Sequence, residues 1–106
     1  MEKRRDPRFK TRFDALYSLG SEEGSGVLTE LSYSSARLDD ASPKPEPGTK
    51  VRLYIFVQPI QPFELAGHVV RHTDNGFAIE VDSSNAEIEH LVDDVRAIVT
   101  APDRNG

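Results

Sequence analysis

Four arginines fall within the first twelve residues, Arg4, Arg5, Arg8 and Arg12, with Lys3 and Lys10 among them. A guanidinium presents a planar fork of donors that matches phosphate oxygens or the O6/N7 edge of guanine, where lysine offers a point charge. Arg4 and Arg8 stand four apart in Arg4-Arg5-Asp6-Pro7-Arg8, and Pro7 favours an extended or turn backbone at Asp6. The arginines can therefore converge on an anion from a loop. A second constellation is Glu30-Leu31-Ser32-Tyr33-Ser34-Ser35-Ala36-Arg37-Leu38. A carboxylate such as Glu30 can accept from the N1–H and N2–H of a guanine, and the Ser32 hydroxyl can bond a base or a phosphate. A small residue at Ser35 lets backbone come close to a ligand, and Arg37 adds a cation on the strand beyond.

Nothing else in the sequence assembles into catalysis. There is no cysteine, which excludes a thiol nucleophile, a disulfide framework and a thiolate metal site. His68 and His72 share a face on a regular strand but would stand ~13 Å apart, too far for one metal, and His90 lies elsewhere. Asp93-Asp94 and Glu87/Glu89 suit the solvated side of a helix. No nucleophile elbow or phosphate-cradling glycine loop is present. The expectation is a binding domain without enzymatic activity, metal or cofactor.

Charge sharpens that expectation. The 106 residues carry a net charge of -5, yet residues 1–12 hold six basic groups against only Glu2 and Asp6. A basic arm precedes an acidic body, and the body would repel a nucleic acid or an acidic membrane. Tyr17, Tyr33 and Tyr54 are the only tyrosines available as stacking platforms for a polynucleotide. No apolar run approaches the ~20 residues of a membrane span. The charged opening lacks the apolar stretch of a secretory signal, which predicts a cytoplasmic address.

These residues need elements to hold them. Val51, Leu53, Ile55 and Val57 alternate with Arg52, Tyr54 and Phe56, predicting a strand whose second face is also covered. Further strands are predicted at Ala15–Leu19, Val27–Ser32, Ala36–Leu38, Phe63–Arg71 and Phe77–Val81. Gly20 to Gly26 reads as a flexible acidic loop, Pro43, Pro45 and Pro47 as a connector, and Asn75-Gly76 as a hairpin with positive φ. Ser84 and Glu87 have capping-box spacing, and Ile88, Leu91, Val92, Val95 and Ile98 form a helical stripe that packs on the barrel end or a partner subunit. Six short strands and one terminal helix predict an all-β fold with a C-terminal helix, closed or half-closed as a barrel. The expected division is an arm over 1–11, a barrel over 12–82, a helix over 83–99 and a tail over 100–106.

Here the chain resembles a family, the PilZ domain, the bacterial receptor module for cyclic di-GMP. Its members carry R-x-x-x-R on an N-terminal loop, matched by Arg4-Arg5-Asp6-Pro7-Arg8, and D/N-x-S-x-x-G on the barrel. Glu30-Leu31-Ser32-Tyr33-Ser34-Ser35 aligns with the second motif, with Glu30 in place of Asp/Asn and Ser35 in place of Gly. Gly67-His68-Val69-Val70-Arg71 and Asn75-Gly76-Phe77-Ala78-Ile79 also resemble the family, and the likeness spans about residues 3–99.

The resemblance implies a six-stranded antiparallel barrel. It implies that Arg4 and Arg8 wrap guanine and phosphate while Glu30 and Ser32 address a guanine from the barrel surface, and Arg5, Ser35 and Arg37 complete the expected ligand-binding set. It implies a cyclic di-GMP receptor, monomer or homodimer, that relays the signal to a regulatory protein in motility or biofilm control. The departures at Glu30 and Ser35 define the alternative, an interaction module that binds the nucleotide weakly or not at all. A positive φ at Ser35 would add strain of about 1–2 kcal/mol.

Overall fold

Alternation of apolar and polar residues is what the wall of a barrel needs, one side chain inward and the next to water. The computed structural model describes residues 8–57, 62–82 and 86–100. Six strands, β1 (Phe9–Ser18), β2 (Glu23–Leu31), β3 (Ser35–Ser42), β4 (Lys50–Ile55), β5 (Phe63–Thr73) and β6 (Gly76–Val81), precede the helix α1 (Ala86–Thr100). All neighbours pair antiparallel and close in the order β1-β2-β3-β6-β5-β4.

Inside, Tyr17 and Phe77 meet edge to face at 5.1 Å between ring centres, amid Leu28, Leu38, Leu53, Ile55, Leu65 and Ile79. Each such side chain contributes about 1.5–3 kcal/mol on burial. Val92 and Val95 of α1 belong to the same core, with Ile88, Leu91 and Ile98 packed against it. The helical stripe is thus buried on this chain's own barrel. The capping pair Ser84 and Glu87 lies outside the described side chains.

Several boundaries differ from the expectation. β1 starts at Phe9, inside the segment read as arm, because Phe9 and Phe13 pack on the core between charged neighbours that hide the pattern. Gly24 to Gly26 belong to β2 and not to a loop, since Gly24 lies flat against the Tyr17 ring, 2.6 Å from where a Cβ would be. Only Leu19 to Glu22 turns, closed by the Leu19 amide on the Glu22 carbonyl at 2.8 Å. The second face of β4 is open, with Tyr54 and Phe56 exposed, because a barrel has a single interior.

The hairpin between β5 and β6 is present, but its turn residues are Asp74 and Asn75, and Gly76 already pairs with Thr73. Positive φ among the described residues is confined to Gly20, Gly48 and Asp40. Gly76 is required for another reason. A Cβ there would overlap the Leu38 carbonyl oxygen and lie 2.7 Å from its carbon.

Candidate ligand-binding site

Two ladder irregularities build the site. In β2, Leu28 pairs with Leu38 but Glu30 pairs with Arg37, so Thr29 is an extra residue. Leu28 and Leu31 can then both turn to the core, leaving Glu30 on the outer wall. In β5, Val69 pairs with Ile79 and Arg71 with Ala78, which makes Val70 the extra residue. Val69 is buried, whereas Val70 and Arg71 are both exposed.

Cross-strand pairing sets Lys10, Glu30, Arg37, Ala78 and Arg71 in one row across β1, β2, β3, β6 and β5. Alanine is the low point of that row. Over it opens a hollow of about 420 Å³, lined by Arg8, Glu30, Ser34, Ser35, Ala36, Arg37, Val70, Arg71, Ala78, Ile79 and Glu80. That volume lies within the range of small-ligand sites. Three guanidiniums outnumber two carboxylates, on a chain whose net charge is -5. A smaller hollow of about 290 Å³ shares Glu30 and Arg37 and adds Lys10 and Arg12.

Arg37 is steadied from one side. Its Nε donates to Asp39 Oδ1 at 3.3 Å, while Asp39 Oδ2 accepts from Thr29 Oγ1 at 2.8 Å. Among the described residues, the side chains of Arg8, Glu30 and Arg71 have no hydrogen-bond or ion-pair partner, so these charged groups are available to a ligand. Behind the hollow, His68 bridges two carboxylates, with Nδ1 2.7 Å from Asp82 Oδ1 and Nε2 3.4 Å from Glu80 Oε1. The hydrogen bond from His68, helped by Lys50 and opposed by partial desolvation, holds the Asp82 carboxyl below its ordinary range.

The turn from Ser32 to Ser35 carries one edge of the hollow. Ser32 is 1% exposed and does not line it. Its Oγ accepts from the Ser35 amide at 3.1 Å and the Ser34 amide at 3.3 Å, and lies 2.8 Å from Ser35 Oγ. The Ser34 carbonyl accepts from the Val81 amide at 2.8 Å, fastening the turn to β6. Ser35 is free of left-handed strain, since Asp40 is the only described non-glycine residue with positive φ. Tyr33 reaches away from the hollow and donates to Asp93 on α1, and this bond to a carboxylate raises the phenol pKa.

Of the residues singled out by sequence, Arg8, Glu30, Ser35 and Arg37 meet in one hollow, and Ser32 sits beneath it. Arg4 and Arg5 lie outside the described residues. Sequence reasoning missed Ser34, Val70, Arg71, Ala78 and Glu80. One signal was present: strict alternation after Leu65, Gly67 and Val69 would bury Arg71, which an arginine resists.

A closed barrel with a basic hollow on its outer wall is a small domain of the binding-module class, and the comparisons name the class more closely. The PilZ domain family profile matches residues 2–97, and the chain belongs to that family, a family of cyclic di-GMP receptors. Comparison with curated proteins returns no significant match. Among solved structures, the Bacillus subtilis inhibitor of motility MotI/DgrA superposes with a TM-score of 0.73 at 16% identity over 96% of this chain. This chain spans 54% of that protein's length. The PilZ domain of CeSA from a cellulose-synthesising bacterium gives 0.71 at 18% identity, covering 88% of this chain and 98% of that one. Both share the six-stranded barrel architecture. Among the described residues, no helix is long and apolar enough to cross a membrane and no cluster of His, Asp or Glu suits a metal ion.

Proposed function

We propose that this chain is a cyclic di-GMP receptor that relays the messenger to a partner protein in the cytoplasm, in the control of motility or biofilm formation. The observation that carries the proposal is the convergence of Arg8, Glu30, Ser35 and Arg37 on one basic hollow. These residues come from the chain before β1, from β2 and from β3, and folding alone brings them together. Arg8 and Arg37 supply forks for phosphate oxygens, and Glu30 accepts from a guanine Watson–Crick edge. Arg4 and Arg5, which lie outside the described residues, belong to the same proposed set of ligand contacts. Ser32 acts as a positioning residue that shapes the turn under the ligand. Titration calorimetry with cyclic di-GMP is the test: the chain should bind, and Arg8→Ala should weaken binding about 10- to 100-fold, as expected for a charged hydrogen bond. Absence of heat at high protein concentration would overturn the proposal.

A second function rests on Glu30 and Ser35, which stand where the family has Asp/Asn and Gly. Ser35 Oγ lies 2.8 Å from Ser32 Oγ, so the hydroxyl that replaces glycine is engaged within the turn. A chain that contacts its partner independently of the nucleotide would show no binding until Glu30→Asp and Ser35→Gly are introduced together.

A further inference from the structure

We infer that Arg71 is a specificity-determining residue that reads the O6/N7 edge of a guanine, delivered to the hollow by the bulge at Val70. The inference rests on the cyclic di-GMP proposal above and extends it to a part of the wall outside both sequence motifs.

The bulge is the first observation. Without the extra residue, the alternation that buries Leu65, Gly67 and Val69 would carry Arg71 into the core. With it, Val70 is 43% exposed and Arg71 is exposed opposite Ala78. Bulges commonly re-aim a side chain beside a site. The second observation is the gap. Ala78 is flanked by Arg37 on β3 and Arg71 on β5, so the two arginine backbones stand about two strand spacings, ~9.6 Å, apart over a methyl group. Both residues line the hollow beside Ala78, so an electron-rich group that enters there meets two guanidiniums.

The third observation is pairing. Arg52 and Arg96 are matched to Glu64 at 2.9 Å and Asp93 at 3.8 Å, whereas Arg71 has no such partner among the described residues. The fourth is the character of the floor. Val70 and Ala78 form an apolar strip beside Arg71, and such a strip suits the flat face of a base better than a phosphate. An arginine at its margin then meets the Hoogsteen edge, where its fork spans O6 and N7.

The experiment measures affinity of the full chain for cyclic di-GMP and for its 7-deazaguanine analogue, which lacks N7, using wild type, Arg71→Ala and Arg71→Lys. Melting curves of all three control for folding. Wild type should prefer cyclic di-GMP over the analogue. Arg71→Ala should bind cyclic di-GMP about 10- to 100-fold more weakly and lose that preference, and Arg71→Lys, charged but without the fork, should recover only part. A well-folded Arg71→Ala whose binding falls below detection while Arg71→Lys still binds also supports the contact. Three results overturn it: equal wild-type affinity for both ligands, the same preference retained in Arg71→Ala, or Arg71→Ala binding as tightly as wild type. If wild type binds neither ligand, the receptor proposal falls and the inference with it. If wild type binds, Arg8→Ala loses affinity and Arg71→Ala does not, the inference falls alone.

Discussion

Replacing Ser32 with alanine separates two roles that a motif cannot distinguish. As a ligand contact, Ser32 would matter to affinity and little to stability. In the fold it is a 1% exposed residue whose hydroxyl satisfies the amides of Ser34 and Ser35 and touches the Ser35 hydroxyl. The 3.3 Å contact to Ser34 is long, so at least two good hydrogen bonds, to the Ser35 amide and hydroxyl, are lost on truncation. At about 1 kcal/mol each, Ser32→Ala should destabilise the domain by about 2 kcal/mol. For a chain of this size that lowers the melting temperature by roughly 8–15 °C. Circular dichroism melts with and without cyclic di-GMP give the measurement. A melting temperature within about 2 °C of wild type, accompanied by lost affinity, would refute the structural role and restore Ser32 as a direct contact.

Two further outcomes follow from geometry. Gly76→Ala forces a Cβ into the backbone of Leu38, which has no side-chain freedom to yield, so urea unfolding should show a loss of about 3 kcal/mol or more, and an unchanged midpoint contradicts the close approach. Because His68 holds the Asp82 pKa low, the stabilisation from that carboxylate is complete above its unfolded pKa and is lost as pH falls through the depressed folded value. Between roughly pH 5 and 2.5, wild type should therefore lose melting temperature more steeply than Asp82→Asn, and parallel curves would remove His68 as the cause.

What could be read from the chain follows a physical line between local and non-local order. The alternation in β4 and the stripe from Ile88 to Ile98 are local, and both took the expected form. So did the juxtaposition of Arg8, Glu30, Ser35 and Arg37, which the resemblance to the PilZ family implied. Bulges are different. Whether Thr29 or Val70 is the extra residue depends on where β3 and β6 place their partners, and no window within β2 or β5 contains that information. Glu30 was legible only through its motif, and Arg71, though inside a segment that resembles the family, was not read as a site residue. Ser32 was legible through the same motif, and the structure adds that its hydroxyl meets the Ser34 and Ser35 amides.

The closed order of the six strands bears on how any protein could recognise this domain. An open sheet offers unpaired amides and carbonyls along its edge, and a visiting strand can extend it with little regard to side chains. Here every strand has two neighbours, and only short stretches, such as the start of β1 on its β4 side, lie outside a ladder. A partner then has side chains more than backbone to read, such as the exposed Leu16 and Tyr54 that face each other where β1 meets β4. In this ring that seam lies directly across from β3 and β6, which floor the hollow. Outer-wall side chains on that seam can change without disturbing the interior, so one scaffold can acquire new listeners while its ligand site stays as it is.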